Sequence, residues 1–514
     1  MTVERTVANY PMPNSGQEPN TETSLVGIHS GIDQRRSGNS RLVWPFLVGW
    51  RHHARRVSTV LAGLAALGTV FGGLTGYWTV YQAANDWIRD DQTVSRPSRL
   101  SIAVLPFENI SGDPSQEYLG VGLTENVTTY LAVSMPTISL ITGQPAVDRE
   151  TPGPRRKRVG RKQNAQYLLS GSILRIGGRV QVNARLTEAI GGAQLWADRI
   201  EAEASDTVSV QDQVAARIAT SLQFILPAVY IRDARRKSDD NAMDVLLRGK
   251  VALDDERRQG LNPLIHAEGL FRAAAELEPQ NPDALGSLAA VVAENLFNSR
   301  LLPPGRQPTP DQLIAKRREV DELLERTTQT LPASSVTRLA RALLHLHEQR
   351  LELARMELEQ ARSIDPNDYI ALYFLAVTYE YLGLPAQALG IFADIQLRTA
   401  GRVPAYHLVM QEWGRCLLLL ARWDDAIAKL RQAYAIRASA ITSGSLAIAY
   451  IQVGDSTKAH FHFQRWWTWY AVSSQPTIVS LNALQRDTSS VPEYLALVNA
   501  TLFDGYRRLG VPDE

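Results

Sequence analysis

Self-similarity at a spacing of 34 residues constrains this chain more than any other feature. Ala354, Leu358, Ala361 and Pro366 recur 34 residues on as Ala388, Phe392, Ile395 and a turn. Positions three and four apart share one side of a helix. A small Ala there lets two helices approach, and the bulky residue beside it fills the remaining space. Leu375, Ala376, Tyr379 and Gly383 supply the preceding helix of that unit. Trp413, Gly414 and Leu417, then Ala426, Leu430 and Ala433, repeat it after a four-residue insertion. Leu446, Ala447, Tyr450 and Gly454, then Ala459 and Phe463, repeat it again. Ala267, Phe271, Ala274 and Pro279 mark an earlier, longer-looped unit, and a divergent one broken by Leu302-Pro-Pro-Gly305 lies between. About six units, two of them irregular, are expected over residues 242–470. In this register Ala388 is a close-contact position and Glu380 is expected on an exposed face.

This period, with its small and bulky positions, is similar to the tetratricopeptide repeat. The resemblance implies an α-solenoid that stacks to bury a continuous core and offers a concave face to a protein partner. Residues 471–514 are expected to form a terminal helical cap. The densest aromatic cluster, Arg465-Trp-Trp-Thr-Trp-Tyr470, is expected to pack between the last repeat and that cap.

Near the start, residues 57–81 form an apolar run, and no Asp, Glu, Lys, Arg or His occurs from Val57 to Ala84. About 20 apolar residues in a helix cross the bilayer core. Arg51, His52, His53, Arg55 and Arg56 precede the run; Asp86, Asp90 and Asp91 follow it, diluted by Arg89, Arg96 and Arg99. The basic flank stays in the cytoplasm. The expectation is one transmembrane helix at 57–81 in a bacterial inner membrane, with the bulk of the chain periplasmic. Residues 1–56 form the cytoplasmic tail. Its first 40 residues are rich in Pro, Gly, Ser, Asn and Thr, lack periodicity, and are expected to be disordered.

Between anchor and repeats, residues 99–226 read as a small α/β domain. Ser101-Ile-Ala-Val-Leu-Pro-Phe107 is a short buried strand ended by a turn, and Leu119, Leu123, Val127 and Leu131 mark a helix face. Val180, Val182, Ala184 and Leu186 alternate with polar residues after Gly177-Gly178, a strong hairpin signal because Gly accepts positive φ. Gly191-Gly192 turns into a third strand around Gln194-Leu-Trp-Ala197, giving an antiparallel meander. Val210, Val214, Ile218 and Leu222 give a closing helix.

Five motifs in order carry a second resemblance. They are Ser101-Ile-Ala-Val-Leu-Pro-Phe-Glu-Asn-Ile-Ser-Gly-Asp113, Gly122-Leu-Thr-Glu125, Leu169-Ser-Gly-Ser-Ile173, Ala193-Gln-Leu-Trp-Ala-Asp198 and Val210-Gln-Asp212. Together they resemble the TolB-like amino-terminal domain, which often precedes tetratricopeptide repeats in bacterial chains, some carrying an adenylate cyclase or winged-helix domain. The resemblance implies an extracytoplasmic-type domain and brings no catalytic residue with it. The basic, Pro-rich stretch 148–162 departs from it.

No catalytic, cofactor-binding or metal-binding residue is assigned, and the partner-binding residues are not identified. Cyclase chemistry needs two metal-binding carboxylates on a separate α/β domain, for which no segment of this sequence is large enough. Gly120-Val-Gly-Leu-Thr-Glu125 lacks a third Gly and a P-loop Lys and reads as a helix start. His345/His347 and His460/His462 are spaced so that their rings point to different sides of a helix. Cys416, the single cysteine, reads as a small core residue. Arg155-Arg-Lys-Arg158, Arg161 and Lys162 read as a solvated basic segment. With 54 basic and 53 acidic side chains, the chain carries no nucleic-acid signature. The functional expectation is a membrane-anchored, noncatalytic interaction or assembly module. The alternative is a sensory or regulatory component of a cyclase-like or transcriptional signalling system whose output domain is absent from this chain.

Overall fold

The computed structural model describes residues 100–141, 165–203, 207–234, 241–260, 263–299, 307–331, 334–471 and 475–514. The tail, the apolar run at 57–81 and the basic segment 148–162 lie outside them.

Six strands form one mixed sheet: β1 (Ser101–Val104), β2 (Glu108–Asn109), β3 (Ser139–Ile141), β4 (Tyr167–Ile176), β5 (Arg179–Glu188) and β6 (Gln194–Glu203). The order is β3-β1-β4-β5-β6, with β2 also paired to β4. The expected meander is present as antiparallel β4-β5-β6, turning at Gly177, whose φ is 57°. To it the structure adds parallel pairs of β1 with β3 and with β4. The sheet is therefore mixed rather than a meander alone. Helices α1 (Glu117–Ser134) and α2 (Thr207–Ala234) cover one face, where Leu119, Leu123, Val127 and Leu131 meet Val182, Leu186, Val214 and Ile218. The glycines of the 120–125 motif permit close packing. A Cβ on Gly120 would collide with the Phe107 carbonyl, and one on Gly122 would lie 2.8 Å from the Gln211 amide. Thr124 fixes the same corner, accepting from the Phe107 N–H at 3.0 Å and donating to the Gly120 carbonyl at 2.6 Å.

Within α2, Ser209–Arg232 is long and apolar enough to cross a membrane by composition, yet 61% of its most apolar window is buried in this fold. It is the core helix of the α/β domain and its bridge to the repeats.

Six helix pairs follow: α3/α4 (Ala242–Gln259, Ile265–Leu277), α5/α6 (Pro282–Asn298, Pro310–Thr330), α7/α8 (Ser335–His347, Leu351–Ile364), α9/α10 (Tyr369–Tyr381, Pro385–Thr399), α11/α12 (Tyr406–Leu419, Trp423–Ile436) and α13/α14 (Ala440–Gln452, Ser456–Tyr470). This is a tetratricopeptide-like helical repeat. Ala267, Ala354, Ala388, Ala426 and Ala459 are all fully buried at the same place in their second helices. Their bulky followers Phe271, Leu358, Phe392 and Leu430 are buried too. Local signals start many of the helices: the Asn281 side chain accepts from Asp283 and Ala284 ahead of Pro282, and Thr309 with Gln312 forms a reciprocal capping box. The turn inside four successive pairs uses one left-handed residue, at Gln349, Gly383, Ala421 and Gly454.

After α14 come α15 (Ile478–Thr488), α16 (Pro492–Val498), a π-helical turn (Asn499–Phe503) and α17 (Asp504–Arg508). These helices do more than cap the last pair. They run back along the first helices of the last four pairs.

Candidate functional site

In a repeat of this kind the first helices of successive pairs line the face that a partner would use. Here that face carries buried charge and the C-terminal segment lies over it, while the α/β domain docks beside it.

The α/β domain docks on α3, the start of α9 and the end of α10. Phe224 of α2 meets Tyr369 edge-on at 5.9 Å, and Leu247 of α3 belongs to the apolar core beneath the sheet. Around this contact the junction is ionic. Asp198 on β6 pairs with Arg217 of α2 at 3.1 Å and with Arg402 of the α10–α11 loop at 2.8 Å. Asp212 of α2 faces Arg398 of α10 at 3.8 Å and takes a hydrogen bond from the Tyr130 hydroxyl. Arg398 also reaches Asp394 at 2.7 Å and Asn367 at 3.2 Å. Burial pushes the Asp365 carboxyl up to about 6, and neighbouring Asp368 adds to this, while Ser134 and Arg398 beside it pull the other way. The four-residue insertion foreseen in the fifth repeat thus has a structural role. It builds the loop, with Ala400 and Gly401 at positive φ, that delivers Arg402 to the sheet. Asp198 and Asp212 each end one of the five motifs, with no local pattern that marks their ionic partners.

Beneath this junction, Arg257 of α3 pairs with Glu294 of α5 at 2.5 Å. Burial raises the nearby Asp254 carboxyl to about 7 against the pull of Arg257 and Arg258. His407 at the start of α11 is buried, with burial and Arg437 lowering its pKa to about 4.

The C-terminal segment covers the inner face of the last four pairs. Gln349 donates to the Arg486 and Asp487 carbonyls at 3.2 and 2.9 Å, and Ser489 donates to the Tyr381 carbonyl at 2.7 Å. Tyr494 packs edge-on against Tyr381 at 5.7 Å. Further along, Gln452 donates to Asp504 at 2.9 Å, and Tyr506 stacks on Trp466 at 4.6 Å. The expected packing of the aromatic cluster against the terminal helices is present in that stack.

At the centre of this contact lies a charge network. Glu380 is 0% exposed. This overturns the expectation that it faces solvent, because the C-terminal segment closes over it. Its carboxylate pairs with Arg415 at 3.0 Å and accepts from the Cys416 thiol at 3.5 Å. Arg415 donates to the Tyr494 hydroxyl at 2.5 Å, which donates to the Gln485 amide oxygen at 2.5 Å. Burial pushes the Glu380 carboxyl up to about 7, outweighing the Arg415 guanidinium, with Glu412 adding to the rise. Cys416 is the buried core residue expected, and burial pushes its thiol well up, away from the reactive thiolate.

Among the described residues, no three His, Cys, Asp or Glu side chains group to hold a metal ion. His460 is exposed and hydrogen-bonded to its own helix, whereas His462 is buried and stacked on Tyr450 at 5.8 Å.

No protein-family model matches the chain. It is 31% identical over 206 residues to "Putative adenylate cyclase 3" of Rhizobium meliloti (strain 1021), a match covering 39% of this chain and 34% of that protein's length. Solved structures with partial likeness include the Cut9-Hcn1 hetero-tetramer, at 14% identity, 55% of this chain, 49% of that one and TM-score 0.37. Pseudomonas aeruginosa pilF gives 16% identity, 48% and 97% coverage and TM-score 0.32. A tetratricopeptide repeat protein from Parabacteroides merdae gives 14%, 55%, 94% and 0.30.

Proposed function

We propose that this chain is a noncatalytic protein-interaction module, anchored in a bacterial inner membrane through residues 57–81, with a TolB-like domain and repeat array in the periplasm. The observation that carries the reading is the stack of six helix pairs with an α/β domain docked on it, an architecture that presents surface rather than a reaction centre. The C-terminal segment covers the first helices of the last four pairs and the α/β domain takes up the end of α10 at Arg398, while apolar side chains stay exposed on the second helices at Leu353, Met356 and Leu397. A protein partner is expected there.

To test it, photo-crosslinking residues are placed at Met356 and Leu397 in cells. One reproducible adduct, lost on charge reversal of neighbouring Glu359, supports the reading. No adduct from either position overturns it. A cytoplasm-only reporter fused after Glu514 should be silent, and its activity would reverse the orientation.

The partial match to a protein named as an adenylate cyclase favours one second reading, a regulatory component of a cyclase-like signalling system. The purified chain is expected to make no cyclic nucleotide from ATP with Mg²⁺ or Mn²⁺.

A further inference from the structure

A solenoid of this kind can end by stacking one more helix on the last pair. Here, among the described residues, α14 meets the C-terminal segment through the Trp466–Tyr506 stack, and the segment leaves for the inner face. There it crosses four pairs, from Gln349 through Gly383 and Arg415 to Ile448 and Gln452. It is also closed on itself. The Ile478 and Val479 N–H groups donate to the Pro512 and Asp513 carbonyls at 2.8 and 3.1 Å, and Arg507 pairs with Asp513 at 2.9 Å. Two close approaches seat it: a Cβ on Gly383 would lie 2.7 Å from the Glu493 Cβ, and one on Gly505 would lie 2.6 Å from Ile448.

Beneath it lies the Arg415–Glu380 ion pair. Arg415 and Glu380 are set among apolar first helices, where an ion pair is costly to bury unless its remaining hydrogen bonds are met. Tyr494 and Gln485 each accept from the Arg415 guanidinium, while Tyr381 supplies an aromatic wall. A groove with a fixed cation, an aromatic wall and a close approach at Gly383 selects a helical segment carrying a phenolic hydroxyl.

We propose that residues 478–513 are an intramolecular ligand of the repeat groove, exchangeable for a helical protein segment that places a tyrosine on Arg415. The groove is thereby kept closed until such a segment competes for it. This goes beyond the outer-surface reading, because the competitor enters the inner groove, and exchange is measurable without a partner.

A protease recognition sequence is inserted ahead of exposed Gln475 in the full chain, in detergent. After cleavage, a fluorescent peptide of residues 476–514 is added and its anisotropy followed. The peptide should enter the cleaved protein, compete with its unlabelled form, and bind the uncleaved chain at least ten-fold more weakly, because the tethered segment holds a high effective concentration. A Tyr494→Ala peptide should bind at least ten-fold more weakly than the parent. Equal binding of the two peptides would overturn the proposal. So would a cleaved segment that never exchanges, or a protein that unfolds on losing it and is not restored by the peptide, since either makes the segment plain core. Failure of the crosslinking experiment alongside successful exchange would remove the outer-surface reading alone.

Discussion

Asp198 on β6 and Arg402 in the α10–α11 loop meet at 2.8 Å, joining the sheet to the repeats. The two ends of this pair are unequal. The Arg402 side chain is 56% exposed and its loss is screened by solvent, so Arg402→Ala should cost under about 1 kcal/mol. Asp198 is nearly buried and also holds Arg217, which has little access to water. Asp198→Asn leaves that guanidinium without its carboxylate, at a cost on the order of 2–3 kcal/mol. Urea midpoints for the two variants check the difference; equal losses would show that Arg217 does not depend on Asp198.

Gly383 and Gly454 occupy the same turn position in the fourth and sixth pairs, with φ of 77° and 83°. Substitution by Ala strains both backbones by about 1 kcal/mol. A Cβ on Gly454 meets open space, whereas one on Gly383 runs into Glu493 and Tyr494. Gly383→Ala should therefore lower the melting temperature more than Gly454→Ala, by the equivalent of roughly 1–3 kcal/mol. Truncation ahead of Gln475 should erase most of that difference in any truncated chain that still melts cooperatively.

Ala388 is fully buried in the contact between paired helices, while adjacent Gln387 is exposed. Ala388→Arg combines overpacking with burial of an unpaired charge, and each costs on the order of 1–3 kcal/mol or more. The loss should spread to neighbouring pairs, because each pair is stabilised by the next. Gln387→Arg should leave the melt nearly unchanged. Equal melting temperatures for wild type and Ala388→Arg would refute the register.

The Glu380 carboxyl sits near 7 in the fold against an ordinary value of 4.5. Between those values the native state holds a proton that the unfolded chain has released. The stability contributed by Glu380 therefore falls as pH rises from about 4.5 to 7 and levels beyond. Glu380→Gln removes this dependence, so the stability difference, wild type minus variant, should fall by on the order of 1–3 kcal/mol across that window. Asp254 slopes the same way and His407 the opposite way, but both are common to the two proteins. A flat difference would refute the assignment.

The repeats were legible because their signal is local. A small Ala and a bulky residue four positions on recur in adjacent stretches, and Gly-Gly marks the β4–β5 hairpin. The parallel pairs of β1 were not, because strands joined by crossovers leave no turn signal between them. The burial of Glu380 likewise leaves no local signal. A lone carboxylate on a helix normally means solvent, and what buries it, Arg415 from the next pair and Tyr494 beyond it, lies 35 or more residues away. The insertion near Arg402 was visible as extra length, but its target on β6 lies in another domain and nothing local names it.

The reach of the C-terminal segment has a kinetic consequence. Each helix pair is built from neighbours in sequence, so pairs form quickly and zip together by short loop closures. The bonds from Gln349 to Asp487 and from Arg415 to Tyr494 span 138 and 79 residues. They are expected to form after the stack exists, leaving the Glu380–Arg415 pair hydrated in the interval. Refolding followed by tryptophan fluorescence should then show Trp466 reporting its Tyr506 stack in a slower step than the rise of helical signal.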